Sequence, residues 1–163
     1  MALPYSITVS QNAALIQTEL QNWVASYGGT AEIVSNLRDM WNQASISSDT
    51  PRILICYNGE VARGSFGHIS PWHRVDRSWT IAVTKGRGYY LNRGEGLYDA
   101  SSAEMPLFDV VETVRDIVRF MTTISEENPT PDYRNIRPMQ LGNLVVDGYI
   151  IEITTANDIP MPQ

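Results

Sequence analysis

The stretch Pro51-Arg-Ile-Leu-Ile-Cys-Tyr-Asn58 decides the fold of this chain, because its middle carries only apolar side chains. Successive side chains of a β-strand point to opposite faces of the sheet, so Ile53 and Ile55 share one face while Leu54 and Cys56 share the other. Both faces of the strand are therefore apolar, and each needs cover from another part of the chain. The stretch predicts a central strand of a sheet that is packed on both sides.

An amphipathic helix is predicted before this strand. Ser10 is expected to cap its first turn, and Gly28-Gly29 is expected to end it. Its apolar side chains recur at helical spacing: Ile16, Leu20, Trp23, Val24 and Tyr27. Residues 33–44 have helical spacing too, and we favour a helix there. Alternatively, Ile33-Val34 form a short edge strand and the helix begins at Leu37.

After the central strand, long glycine-rich connections alternate with strand-like runs. Gly59 to Arg74 is longer than a hairpin requires, so it is predicted to be a long loop. Val75 to Lys85 alternates apolar with small polar side chains, which predicts a second strand. Gly86 to Ala103 is predicted to be a second long loop, with tyrosines set among its glycines.

The second main helix is predicted from Pro106 to Thr123, with acidic side chains near its start and arginines in its later turns, as the helix dipole favours. Its apolar stripe consists of Leu107, Val110, Val111, Val114, Ile117, Val118 and Met121. Tyr133 to Thr155 is strand-like. Either Gly142-Asn143 or Asp147-Gly148 can form a two-residue hairpin turn within it.

We therefore predict an α+β fold: one mixed or antiparallel sheet with two main helices packed on one face. With 163 residues, 43% apolar and 18% charged, the chain suits a single domain spanning 1–163, with short flexible tails at about 1–9 and 157–163. No apolar run approaches the roughly 20 residues that span a bilayer, and the first residues do not resemble a signal peptide. The single cysteine favours a reducing compartment.

The charged residues are unevenly distributed along the chain. Residues 63–93 hold six basic side chains and one acidic one, whereas residues 94–163 hold four basic and twelve acidic side chains. The net charge of −6 argues against wholesale binding of nucleic acid. The asymmetry fits plain solvation or a surface that meets other copies of the chain.

No motif in the sequence predicts catalysis, a cofactor or a metal site. His68 and His73 lie near Asp76, but three or four ligands with supporting geometry would be needed to hold a metal ion. Cys56 lies in an apolar strand, so it is interpreted as a core residue rather than a nucleophile. The glycine spacing around Arg87 fits neither a phosphate-binding loop nor a dinucleotide-binding turn. We therefore predict that the protein is not an enzyme.

Aromatic and arginine side chains in the two predicted loops are the candidate site residues. Arg77 lies in the strand between the loops and is considered with them. Tryptophan, tyrosine and arginine are enriched at protein interfaces, and they also stack on nucleic-acid bases. Because the net charge is negative, we favour contacts with another subunit or another protein. The predicted interface residues are Trp72, Arg74, Arg87, Tyr89, Tyr90 and Arg93.

The order of these segments resembles the tail terminator and head-to-tail neck proteins of long-tailed bacteriophages, in particular a Mu-like tail family of similar layout. The resemblance covers nearly the whole chain, from Gln11 to Thr155. It rests on the central strand, and on the stretches Trp79-Thr-Ile-Ala-Val-Thr-Lys-Gly-Arg-Gly88, Leu107-Phe-Asp-Val-Val-Glu-Thr-Val-Arg-Asp-Ile-Val118, Ile136-Arg-Pro-Met-Gln-Leu141 and Asp147-Gly-Tyr-Ile-Ile-Glu-Ile-Thr-Thr155.

The resemblance implies a small α+β subunit that forms a ring, usually a hexamer. Such a ring caps the growing tail tube, stops its polymerisation and offers a face to the head connector. The expected partners are other copies of the chain, the tail tube protein and the neck proteins, with no membrane involved. The expected location is the tail or neck of the virion, after assembly in the host cytoplasm. The alternative is a non-enzymatic module that binds single-stranded nucleic acid through the loop aromatics.

Overall fold

The computed structural model describes residues 7–44, 50–62, 72–84, 107–121, 132–141 and 144–160. In these ranges the chain forms three α-helices and five strands, with a single 3-10 turn at Ala25–Tyr27. The helices are α1 (Val9–Val24), α2 (Leu37–Ala44) and α3 (Leu107–Arg119). The strands are β1 (Thr30–Val34), β2 (Arg52–Ala62), β3 (Trp72–Thr84), β4 (Asp132–Leu141) and β5 (Leu144–Pro160).

The strands form one mixed sheet in the order β1-β2-β3-β5-β4. β1 runs parallel to β2, and every other neighbouring pair is antiparallel. From Arg52 onwards, the apolar stretch lies inside the sheet as part of β2, flanked by β1 and β3. The prediction of an α+β fold built on one mixed sheet is confirmed.

The two main helices, α1 and α3, pack on the same face of the sheet, as predicted. α1 contacts β1 and β2, whereas α3 contacts β3, β4 and β5. The sheet side chains of this core are Ala31, Ile53, Ile55, Trp79, Ile81, Val83, Ile151 and Ile153, all buried. The helices contribute Ala13, Ile16, Leu20, Val24, Leu107, Val110, Val111, Val114 and Val118, and Met121 joins them just after α3. Burial of these aliphatic and aromatic groups is the main driving force for this packing.

The opposite face of the sheet carries a second, smaller core beneath α2. Met40 and Ala44 of the helix pack with Leu54, Cys56 and other buried residues of the sheet. Those others are Val34, Ala82, Met139 and Ile150. The short helix α2 therefore covers the second apolar face of the central strand. Its position follows from the connection of β1 to its parallel neighbour β2, which needs a crossover.

The start of α1 differs from the prediction. Thr8, not Ser10, is the N-cap: its hydroxyl oxygen accepts from the Gln11 amide at 3.1 Å, and the Gln11 side chain accepts from the Thr8 amide at 2.8 Å. This reciprocal pair needs a glutamine or glutamate three residues after the cap. Ser10 has Ala13 at that position and lies in the first helical turn.

The end of the first helical segment is at the predicted glycines. Gly28 has φ +71°, a left-handed conformation that suits glycine. A Cβ on Gly29 would lie 2.5 Å from the carbonyl oxygen of Pro51, so no larger residue fits there. This close approach allows the Thr30 amide to donate to that same oxygen at 3.1 Å and begin β1 beside β2.

The alternative interpretation of residues 33–44 is the correct one, because Ile33 and Val34 belong to a strand and the helix begins at Leu37. The favoured prediction, a helix over residues 33–44, was therefore wrong in its first part. The Asn36 side chain accepts from the Asp39 amide at 2.8 Å, which starts α2 after the strand.

β2 and β3 are longer than predicted, so the predicted loop Gly59 to Arg74 is wrong at both ends. β2 continues through Ala62, and β3 begins at Trp72. Gly59, the first residue of the predicted loop, has φ +104° at a shift of register between Tyr57 and Glu60, and the ladder resumes beyond it. Glycine in this conformation commonly forms a β-bulge. The rest of that loop, and the predicted loop Gly86 to Ala103, lie outside the described residues.

The C-terminal part of the chain corrects two predicted boundaries and selects one of the two hairpin alternatives. α3 ends at Arg119, earlier than Thr123, since the amide of Met121 bonds to Val118 in a tighter turn. β4 and β5 are joined across residues 142–143, while Asp147-Gly148 lies within β5. β5 extends to Pro160, so residues 157–160 belong to the sheet and not to a tail.

Candidate interaction surfaces

Two of the six predicted interface residues lie at the start of β3. Trp72 and Arg74 lie in the strand, and their backbones pair with Pro160 and Asp158 of β5. Arg87, Tyr89, Tyr90 and Arg93 lie outside the described residues. The structure therefore does not group the six residues, and their role as an interface stays a prediction.

Arg77, in the same basic segment, is buried with 4% of its surface exposed. Its guanidinium donates at 2.6 Å to the Ile7 carbonyl oxygen and at 2.6 Å to the Asn12 side chain, and it donates at 3.3 Å to Glu60. These contacts join the start of α1 to the β2–β3 hairpin. Arg77 is therefore not available to stack on a base or to contact a partner.

The basic character of residues 63–93 is smaller at the surface than the sequence count indicates. Arg77 is withdrawn from solvent, and its charge is opposed by the Glu60 carboxylate. Within the C-terminal segment, Arg137 and Glu152 form an ion pair at 3.1 Å. The two segments still differ in the sign of their formal charge.

Cys56 is a core residue, as predicted, and 1% of its surface is exposed. Burial raises the pKa of its thiol above the ordinary value, and the nearby Asp39 carboxylate raises that pKa further. Both effects favour the protonated thiol, which is a poor nucleophile. Burial also raises the pKa of Tyr57, whose ring packs 5.2 Å from that of Trp79. Neither group is prepared for catalysis.

Polar side chains cover the part of the second sheet face next to the α2 core. The Asn58 amide bonds to the Thr80 hydroxyl, and Glu152 accepts from Asn135 and from Arg137, each at 3.1 Å. Within the described part of the chain, no group of three histidine, cysteine or acidic side chains is placed to hold a metal ion. The arrangement is typical of a solvated face of an antiparallel sheet.

The outer edge of β1 is closed by two glutamine side chains of α1. The Gln21 oxygen accepts from the Ala31 amide at 2.8 Å, and the Gln17 amide donates to the Ala31 carbonyl oxygen at 3.1 Å. The two side chains thus replace a neighbouring strand at that residue. An exposed strand edge otherwise pairs with other chains. Sequence patterns did not reveal this contact, because β1 itself was the less favoured interpretation of its segment.

Five large apolar side chains are exposed among the described residues, namely Tyr27, Ile33, Leu37, Val61 and Phe120, and two places among them are named here. We call Ile33 and Leu37 the β1 corner; they are 47% and 46% exposed, four residues apart where β1 leads into α2. We call Arg119 and Phe120 the α3 tip; Phe120 is 64% exposed and the Arg119 guanidinium lies 5.5 Å from its ring centre. The sequence analysis had assigned neither surface.

Comparison with known proteins adds no identification to this geometry. The chain matches no protein-family model and none of the characterised proteins with which it was compared. Among the described residues, no helix is both long and apolar enough to cross a membrane.

Proposed function

We propose that this protein is a structural subunit of a bacteriophage tail, which assembles into a ring that caps the tail tube. The observation that carries the proposal is the order of segments from Gln11 to Thr155, which resembles that of tail terminator and neck proteins. The fold supports the proposal, since these segments form one mixed sheet with two main helices on one face. In this role the ring ends tube growth and presents a surface to the head connector, without catalysis.

A closed ring requires two unlike surfaces on each subunit, because head-to-tail contacts bring different patches together. The chain offers unlike surfaces in two respects. Its basic and acidic segments differ in sign, and exposed apolar groups occur at the β1 corner and at the α3 tip, among other places. Each feature supports assembly from identical copies. The tube would present repeated binding sites and so raise the effective concentration of neighbouring subunits.

The experiment combines purified protein with tail tubes and measures assembly by sedimentation and electron microscopy. We expect rings of copies at one end of each tube, and tubes that no longer grow when fresh tube protein is added. Tubes mixed with Val114→Asp protein, in which the α3 core is disrupted, are the matched control and should keep growing. If the protein is a monomer under all conditions and the tubes keep growing, the proposal is wrong.

The second candidate is a module that binds single-stranded nucleic acid. Its support is the set of aromatic and arginine side chains at 72–93, although the burial of Arg77 removes one of them. Binding of single-stranded oligonucleotides that weakens steeply with salt, together with no ring on tail tubes, would favour this candidate. Ring formation without nucleic acid would favour the tail protein.

A further inference from the structure

We propose that Arg77 couples the start of α1 to the outer end of β2, so that these two segments open and close together. The start of α1 is defined as Ile7 and the first helical turn. The outer end of β2 is defined as residues 60–62, which lie beyond the shift of register at Gly59. The coupling is a conformational property of the subunit and does not depend on the proposed function.

The outer end of β2 is held along one side. β1 pairs with β2 from Arg52 to Cys56, so β3 is the only described strand beside residues 60–62. The side chain of Val61 is 68% exposed and that of Glu60 is 37% exposed. Strand ends with few buried side chains belong to the parts of a fold that open locally at low cost.

The start of α1 is held by its cap and by Arg77. The Thr8 hydroxyl oxygen accepts from the Gln11 amide, and the Asn12 amide donates to the Thr8 carbonyl oxygen at 2.9 Å. The Arg77 guanidinium donates at 2.6 Å both to the Ile7 carbonyl oxygen and to the Asn12 side-chain oxygen. Helix ends fray readily, so these contacts decide how often the first turn opens.

The same guanidinium also donates to the Glu60 carboxylate at 3.3 Å. Arg77 lies on the middle strand β3, paired with Glu60 on one side and Thr155 on the other, so it stays in place when either segment opens. Its donors have fixed directions in one plane, and the contact with Glu60 therefore helps to aim the others at α1.

The burial of Arg77 makes the contacts to the two segments interdependent. Only 4% of its surface is exposed, and Asn12 is fully buried. Opening of either segment admits water to the guanidinium, and this water competes for the hydrogen bonds that remain. Loss of the contact to one segment therefore weakens the contact to the other. Groups that share a hydrogen-bond network commonly show such coupling.

Hydrogen exchange of individual amides in the full chain, followed by NMR, measures local opening. Val61→Gly weakens the outer end of β2, because glycine is unfavourable inside a strand, and the exposed valine contributes little to the core. We expect the Asn12 amide in this variant to exchange at least about threefold faster than in wild type, a factor within the range for coupled neighbours.

The converse perturbation starts at the helix. Thr8→Ala removes the N-cap of α1 and so increases opening of the first turn. Because a coupling free energy is reciprocal, the protected amides of residues 60–62 should then exchange faster as well.

Two controls separate coupling through Arg77 from general destabilisation. Both effects should disappear when Val61→Gly or Thr8→Ala is combined with Arg77→Met, which keeps the aliphatic stem and removes the guanidinium. If circular dichroism shows that Arg77→Met is unfolded, Asn12→Ala, which removes one acceptor, takes its place and should reduce both effects. Arg134→Gly, at an exposed residue of β4, should leave exchange at Asn12 unchanged.

The proposal is overturned if Val61→Gly leaves exchange of the Asn12 amide at the wild-type rate, or if Thr8→Ala leaves residues 60–62 unchanged. It is also overturned if the effects persist without the guanidinium, or if Arg134→Gly accelerates exchange at Asn12 equally. These outcomes are independent of whether rings form on tail tubes, so failure of the coupling and failure of the proposed function are distinguishable.

Discussion

Arg77 binds together parts of the chain that are distant in the sequence. Its donors reach the Ile7 carbonyl and the Asn12 side chain at the start of α1, and Glu60 across the hairpin. Asn12 is itself fully buried. A buried polar group is costly without hydrogen bonds, so this arginine stabilises groups that would otherwise oppose folding.

Replacement of Arg77 by methionine should lower the free energy of unfolding by about 2–3 kcal/mol, because it removes charged hydrogen bonds to buried acceptors. Methionine keeps most of the aliphatic stem, so the loss reports on the guanidinium. Urea unfolding followed by circular dichroism measures the effect. Arg119→Met, at an exposed arginine, is the control and should change the free energy little. Equal losses in the two variants would contradict the role assigned to Arg77.

Because of Cys56, we expect the free energy of unfolding to fall as the pH becomes alkaline. Burial raises the pKa of its thiol, so the folded state holds the proton more tightly than the unfolded state does. The resulting stabilisation is fully present below the unfolded pKa of roughly 8.5 and is lost as the pH rises towards the folded pKa. In Cys56→Ala protein, the free energy of unfolding should therefore fall less steeply above that pH.

Urea unfolding of both proteins at a series of pH values checks this prediction. The alanine variant is expected to be less stable at neutral pH because of the smaller side chain, so the slopes are compared and not the absolute values. Tyr57, whose pKa is also raised, contributes in the same direction in both proteins. Identical slopes would show that the buried thiol does not titrate differently on unfolding.

At the scale of elements, β1 depends on the side chains of α1 as well as on its pairing with β2. Gln21→Ala should lower the free energy of unfolding by about 1 kcal/mol relative to Glu19→Ala, because it removes the hydrogen bond to the Ala31 amide. Glu19 is exposed on the same helix, and glutamate and glutamine have similar helix propensities, so the gain from alanine is matched. The exposed edge should also make Gln21→Ala protein aggregate sooner during thermal unfolding, which light scattering measures. Equal behaviour of the two variants would mean that Gln21 does not protect the edge.

The core face of α3 was predicted from its apolar stripe, and Val114 is fully buried there. Val114→Asp places an unpaired carboxylate in the core and should cost on the order of 3–5 kcal/mol. Glu112→Asp introduces the same residue on the solvent side of the helix and controls for helix propensity. Thermal unfolding measures both. A melting temperature close to that of wild type for Val114→Asp would place the side chain outside the core.

Sequence periodicity predicted the elements that bury a continuous apolar surface. The stripe of α3, the face of α1 and both faces of β2 repeat at the spacing of their element, so they could be predicted before the structure. The residues at which the helices and strands begin and end were harder to predict. Thr8 caps α1 because its partner is Gln11, and the strand continues past Gly59 because its neighbour β3 continues; both depend on a contact with a second residue.

At the scale of the whole molecule, assembly should depend on Arg87 and Arg93, which lie outside the described ranges. The Arg87→Glu, Arg93→Glu double variant should weaken assembly on tail tubes, and added salt should weaken that of wild type to a smaller degree, because complementary charge mainly sets orientation and encounter rate. Sedimentation with tail tubes measures both effects. Arg134→Glu, at an exposed arginine on β4, is the control for net charge. Weakening by the control alone would place the electrostatic contact on β4.

The candidate site was less predictable than the fold. Composition drew attention to aromatic and arginine side chains, but it could not distinguish Arg77, which the fold buries, from its neighbours. The β1 corner and the α3 tip carry ordinary aliphatic and aromatic residues, and only their exposure separates them from the core. Such exposure depends on how far each helix extends and on which strand is outermost, and a single sequence determines these poorly.

The strand order determines when, during synthesis, the sheet can be completed. β3 is the middle strand, yet one of its two neighbours, β5, is the last strand of the chain, so that Thr84 pairs with Gly148 and Trp72 with Pro160. While the ribosome synthesises the segment between them, the β2–β3 hairpin has no partner on its β3 side. A chain released before Leu144 keeps that apolar edge open to other chains. The central strand β3 can therefore gain its second neighbour only after the ribosome has synthesised β5.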